Sequence, residues 1–151
     1  PWDVYNYGFK ANLSDINASI LPEQIRKYST IAKVKKKIFN QYKKKLSKIS
    51  KVFFPKENPN RNRDYYLFPI GVDKKFRNKL IEYLLKKKIF VTVNFKSITQ
   101  LSYYKRKYKK VSCPNSERWG SQQLSLPFHA KLSNKEINIV CSEIKKFFDI
   151  H

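Results

Sequence analysis

Apolar residues recur along this chain at two spacings, and the changes of spacing divide it into elements. Ser14-Asp15-Ile16 opens the first helical signal, with Ser14 or Asp15 available as a cap and Ile16, Ile20 and Leu21 at helical intervals. Pro22 falls where a helix would kink or restart. A longer helix is predicted over 29–48. Its apolar stripe is Ile31, Val34, Ile38, Tyr42, Leu46 and Ile49, and Lys35, Lys36, Lys37, Lys43, Lys44 and Lys45 cover the other face.

The polar stretch 55–63 holds two prolines and three asparagines and reads as a surface loop. Tyr65 to Val72 follows as a strand, with Pro69 placing it at an edge or a bulge. Asp73 can cap the next helix, whose expected buried stripe is Phe76, Leu80, Leu84 and Leu85. Phe90 to Val93 reads as a second strand, and Asn94 to Ser102 as a loop. Pro114 suits the first turn of a short helix. Leu124 to Leu126 is a third strand, stopped by Pro127. The last helix opens on the capping box Ser133-Asn134-Lys135-Glu136 and carries a stripe at Ile137, Val140, Cys141, Ile144 and Phe148. The order predicts an α/β (α+β) fold: two N-terminal helices, then a βαβαβα unit with helices packed on a three-stranded sheet.

Composition fits such a domain. The 151 residues are 41% hydrophobic and 15% aromatic, too rich in core-formers for a disordered tail. No apolar run is long enough to span a bilayer, and Pro1 to Tyr5 has neither the basic flank nor the apolar stretch of a signal peptide. Cys113 and Cys141 are too few and too far apart for a disulfide scaffold or a metal site. The expectation is a cytoplasmic protein without a metal centre.

Charge changes the picture more. With 33 Lys and Arg against 11 Asp and Glu, the formal charge is +22. Such an excess attracts nucleic acid, acidic membrane surfaces or phosphorylated metabolites. Abundant Lys, Ile, Asn, Tyr and Phe also match an A+T-rich coding bias, which loads solvated faces with lysine. Both readings stand at this point.

The chemically informative stretch is Gly8-Phe9-Lys10-Ala11-Asn12-Leu13-Ser14-Asp15-Ile16-Asn17-Ala18. It resembles the G-Y-x-x-N/R-M-S/T-D-I-N/Q-A-A motif of the DegT/DnrJ/EryC1/StrS aminotransferases. Three further segments match that family in the same order: Tyr66 to Ile70; Val93 to Lys96 with Leu101 to Tyr104; and Pro114 to Gly120 leading into Leu124 to Pro127. The resemblance implies the C-terminal part of a fold-type-I enzyme that uses pyridoxal phosphate (PLP), takes its amino group from glutamate and delivers it to a keto-sugar nucleotide, for polysaccharide precursors. It also implies a homodimer with two interfacial active sites. Residues 1–50 would form the dimer- and cofactor-proximal segment with the linking helices, and 51–151 the small α/β domain. The family's Schiff-base lysine belongs to a large domain N-terminal to all four matched segments. Neither Lys10 nor Lys96 is at its position, so no catalytic residue is expected here and the chain alone is expected not to transaminate.

By the same resemblance, Asn12 corresponds to the position that reaches the partner subunit's cofactor phosphate, and its amide can donate to a phosphate oxygen. Asn is also common in a turn before a helix. Asn94 and Lys96 fall in the segment that lies near the sugar nucleotide; many members carry histidines at the positions of Asn94 and Thr99, and this chain carries neither. Lys96 can pair with a nucleotide phosphate as a point charge. His129 and His151 have no neighbouring nucleophile or carboxylate arrangement. Two other functions compete. A basic nucleic-acid-binding module rests on the net charge and on the Lys105 to Lys110 cluster, without a nucleic-acid motif. A peripheral membrane binder would use the 29–48 helix, whose stripe is more simply core.

Overall fold

A computed structural model of the chain describes every residue except 1, 2, 4, 7, 9–11, 59, 62 and 151. His151, Lys10 and part of the Gly8–Ala18 motif therefore lie outside the described residues.

Ser14 caps the short helix α1 (Asp15–Ala18) by accepting from the Asn17 amide at 3.4 Å. Helix α2 (Leu21–Leu46) then starts eight residues earlier than the apolar stripe suggests. Pro22 sits in its first turn, where the missing amide costs nothing, so it restarts the helix. Only the C-terminal half of α2 is buried, through Ile38, Phe39, Tyr42 and Leu46; Val34 of the predicted stripe is exposed. Tyr42 is wholly enclosed and donates to the Pro127 carbonyl at 3.1 Å. Burial raises its phenol pKa above the ordinary value.

Among the described residues the regular sheet has two strands, where the sequence pattern predicts three. Strand β1 (Phe68–Gly71) pairs antiparallel with β2 (Gln123–Leu126), in the register Phe68 opposite Leu126 and Ile70 opposite Leu124. Phe90 to Val93 contributes one bridge, Thr92 opposite Ser125, and Phe53 makes another with Gly71 on the far edge. The third strand fails because its segment is spent elsewhere. Ile89 closes the end of helix α3, Phe90 is exposed, and beyond Thr92 the chain turns into a loop. Pro69 is accommodated inside β1.

Helix α3 (Lys74–Lys86) is capped by Asp73, which accepts from the Lys75 amide at 2.9 Å. It buries Leu80 and Leu84 but leaves Leu85 exposed. A 3-10 turn (Ile98–Gln100) and α4 (Ser102–Lys107), a helix the apolar pattern does not announce, lead to α5 (Pro114–Gln122). Helix α6 (Asn134–Ile150) begins at the predicted capping box, with the Ser133 amide donating to Glu136 at 2.8 Å and the Glu136 amide to Ser133 Oγ at 3.3 Å. Its predicted stripe is buried throughout, joined by Phe147 and Glu143. Helix α6 packs against both α2 and α3, and Phe68 knits the layers together, stacking on Tyr42 at 4.8 Å and meeting Phe39 edge-on at 4.9 Å.

Candidate functional site

Residues 94–101, including the 3-10 turn, form a loop that is fastened from below. Gly120 of α5 lies directly under it: a Cβ there would stand 3.0 Å from the Ser97 amide nitrogen and 3.3 Å from the Phe95 carbonyl oxygen. Ser97 is buried and exchanges hydrogen bonds of 3.0 Å with the hydroxyls of Thr99 and Ser116. Thr99 donates onward to Glu117 at 2.6 Å, and the Cys113 amide donates to the same carboxylate oxygen at 3.1 Å. The Thr99 hydroxyl, then the Cys113 amide, hold the Glu117 carboxyl below its ordinary pKa, because both donate to the ionised form. Gln123, fully buried on β2, reaches the Phe95 carbonyl at 3.4 Å, while its own Oε1 has no partner among the described residues.

The loop presents two of the residues selected from sequence. Asn94 is half-buried and accepts from Thr92 Oγ1 at 2.7 Å; the next peptide bond, Asn94–Phe95, is cis. Lys96 is exposed, as is Phe95. Thr99 is engaged with Glu117 rather than held free for a ligand. Asn12 is exposed, and it lines none of the three cavities described for the chain. Asn94 and Lys96 thus share one loop, with Asn12 on a separate segment. His129 is exposed at a turn.

That N-terminal segment is nevertheless tied to the same region. Asp3 accepts from the Ser102 amide at 2.7 Å and from the Ser102 hydroxyl, so it caps α4 from 99 residues away. Arg106 donates to the Tyr5 carbonyl at 2.8 Å. Sequence reasoning did not find the supporting residues Asp3, Glu117, Gly120 and Gln123. Gly120 left a signal, as a glycine inside a helical segment; Asp3 and Gln123 act through partners distant in sequence, and Glu117 joins the nearby Cys113 amide to the distant Thr99.

Asn12 offers one phosphate donor, exposed and outside any described cavity, and no group of three or more His, Cys, Asp or Glu among the described residues is placed to hold a metal. No helix among them is long and apolar enough to cross a membrane.

Compared with known proteins, residues 2–145 match the model of the DegT/DnrJ/EryC1/StrS aminotransferase family. The chain belongs to this family. It is 28% identical, over 96% of its length, to an uncharacterized protein of Methanocaldococcus jannaschii, and spans 39% of that relative. Among solved structures it resembles the aminotransferase TlmJ of Streptoalloteichus hindustanus (22% identity, TM-score 0.83), covering 98% of this chain and 40% of that one. The putative sugar aminotransferase Spr1654 of Streptococcus pneumoniae is similar too (23% identity, TM-score 0.82, 97% of this chain and 38% of that one). A third likeness is to Helicobacter pylori PseC, an aminotransferase of pseudoaminic acid biosynthesis (20% identity, TM-score 0.76, 99% and 41%). The chain therefore spans about two fifths of the proteins it matches, and the two-helix start followed by a small α/β layer is a portion of the aminotransferase fold.

Proposed function

We propose that this chain is the C-terminal portion of a PLP-dependent sugar aminotransferase that moves an amino group from glutamate to a keto-sugar nucleotide. The family match across residues 2–145, on a chain spanning two fifths of its relatives, carries this reading. A second observation agrees with it. Leu13, Ile16, Ile20, Leu21, Ile25 and Tyr28 are all exposed, from just before α1 to the first turns of α2. An apolar strip of that length suits burial against further protein, which the large domain or a second subunit of the intact enzyme would supply. On this reading residues 1–50 lie near the cofactor and the dimer interface, and 51–151 form the small domain.

In the intact homodimer, Asn12 would donate its amide to the cofactor phosphate of the partner subunit. Asn94 and Lys96 would face the nucleotide sugar, Lys96 as a charge for its phosphates, on a loop kept in place by Ser97, Thr99, Glu117 and Gly120. PLP, when bound, supplies the electron sink for amino transfer. This chain holds no lysine at the Schiff-base position, so by itself it is inactive.

The test is the mass of the polypeptide purified from its source, followed by an assay with PLP, glutamate and keto-sugar nucleotides. A mass well above 18.1 kDa with activity is expected, and Asn12→Ala should then weaken cofactor retention roughly tenfold, the worth of one charge-assisted hydrogen bond. A native product of 18.1 kDa that is inactive and copurifies with no lysine-bearing chain would overturn the proposal.

A further inference from the structure

A second feature lies apart from the fastened loop. Between helices α2 and α6 lies an open groove of about 870 Å³. Helix α2 and the turn after it line the groove with Gln41, Lys44, Lys45 and Lys48, one face at intervals of three and four residues. Helix α6 answers with Asn138, Ser142 and Lys145 at the same intervals, and Cys141 and Phe148 contribute apolar surface. Lys51 closes the end near the last turn of α6, where it donates to the Phe148 carbonyl at 3.5 Å. Five lysines thus border one cavity, against a single carboxylate, Asp149.

What sets these lysines apart is their convergence from two helices on one cavity. Elsewhere on the same two helices, Lys27, Lys43 and Lys146 pair with Glu23, Glu57 and Glu143 at 2.9, 3.0 and 2.6 Å, whereas Lys33, Lys35, Lys36, Lys37 and Lys135 enter no ion pair among the described residues. Among the described residues, Lys44, Lys45, Lys48, Lys51 and Lys145 enter no ion pair. Concentrating like charges in a concave site with low-dielectric walls is unfavourable until an anion enters, and it focuses the field on one place. Ammonium groups with side-chain amides and a hydroxyl between them are suited to phosphate oxygens.

We propose that the groove between α2 and α6 binds a small, multiply phosphorylated anion. Its volume is in the range of sites for small ligands. A nucleic-acid strand is disfavoured by the lack of a stacking platform. Phe148 is the one aromatic lining residue, it is 7% exposed, and its ring is packed edge-on against Phe76 and Phe147. The proposal does not depend on transamination, because none of these groups belongs to the loop that carries Asn94 and Lys96.

The experiment is calorimetric titration of the native polypeptide with inorganic tripolyphosphate at about 0.15 M salt, where diffuse attraction is largely screened. The triple variant Lys44→Gln, Lys48→Gln, Lys145→Gln should bind at least about tenfold more weakly, with its thermal melting preserved. A charge-matched control on α3, Lys74→Gln, Lys79→Gln, Lys86→Gln, should bind within about twofold of the parent. Equal weakening in both variants, or no binding to the parent, would overturn the proposal. So would a single-stranded oligonucleotide that binds through the groove lysines when tripolyphosphate does not.

Discussion

Lys88 occupies the left-handed region at φ 59°, immediately after the cap of α3. The Ile89 amide donates to the Leu84 carbonyl at 2.9 Å and the Lys88 amide to the Leu85 carbonyl at 2.9 Å, the pair of bonds that closes a helix in a Schellman motif. Ile89 and Leu84, both buried, supply its apolar contact. Glycine is favoured at that position because a Cβ is strained there. Lys88→Gly should therefore stabilise the protein by about 1 kcal/mol, read as a higher urea midpoint at unchanged slope. Gly120 is the opposite case. Alanine would favour helix α5 in isolation, but its Cβ would press the backbone of Ser97 and Phe95 at 3.0 and 3.3 Å. Gly120→Ala should cost about 1–2 kcal/mol as an overpacked contact. Faster hydrogen exchange across residues 94–100 should accompany the loss, since the loop bearing Asn94 and Lys96 must lift.

At the scale of elements, three glutamates link helices to their surroundings. Glu136 is held below its ordinary pKa by the Ser133 hydroxyl and then the Ser133 amide, closing the start of α6. Glu117 is lowered by Thr99 and then by the Cys113 amide, joining α5 to the loop. Glu143 is lowered by Lys146 and then Tyr83, whose hydroxyl donates at 2.8 Å across from α3. A carboxylate whose folded pKa is depressed stabilises the fold fully above its unfolded pKa, ordinarily near 4.5, and loses that contribution as pH falls through the lower folded value. Stability should fall steeply below about pH 4. In Glu143→Gln it should be lower at neutral pH and depend less on pH in the acid range. Circular dichroism titration of both proteins checks this; an unchanged acid profile in the variant would remove Glu143 from the account.

For the whole molecule, the net charge of +22 dominates. Self-repulsion disfavours the compact state, and added salt screens it. Raising salt from about 0.02 M to about 0.15 M should lift Tm by several degrees, measured by calorimetry. The groove lysines should contribute out of proportion to their number. The triple groove variant is expected to show a smaller salt dependence than the α3 control, because like charges facing one cavity repel most.

What the sequence determines by itself is what short-range rules control. The capping box at Ser133, Pro114 opening α5, Asp73 capping α3 and the buried stripe of α6 were all legible, since each depends on neighbours within a few residues. Family membership was legible as well, through four ordered segments, and the family model matches residues 2–145. The α2 stripe was misleading at its N-terminal end, because helical spacing marks an apolar face without saying whether anything covers it. The third strand was also misread. Phe90 to Val93 has strand composition, but closing α3 at Ile89 leaves the sheet only Thr92. Tertiary structure alone decided the contacts that bridge long stretches of chain: Asp3 capping α4, Gln123 under Phe95, Gly120 against the loop, and the meeting of lysines from α2 and α6 in one groove. Sequence periodicity fixes which residues share a face. Packing decides which faces meet, because burial and hydrogen bonding are properties of the folded neighbourhood.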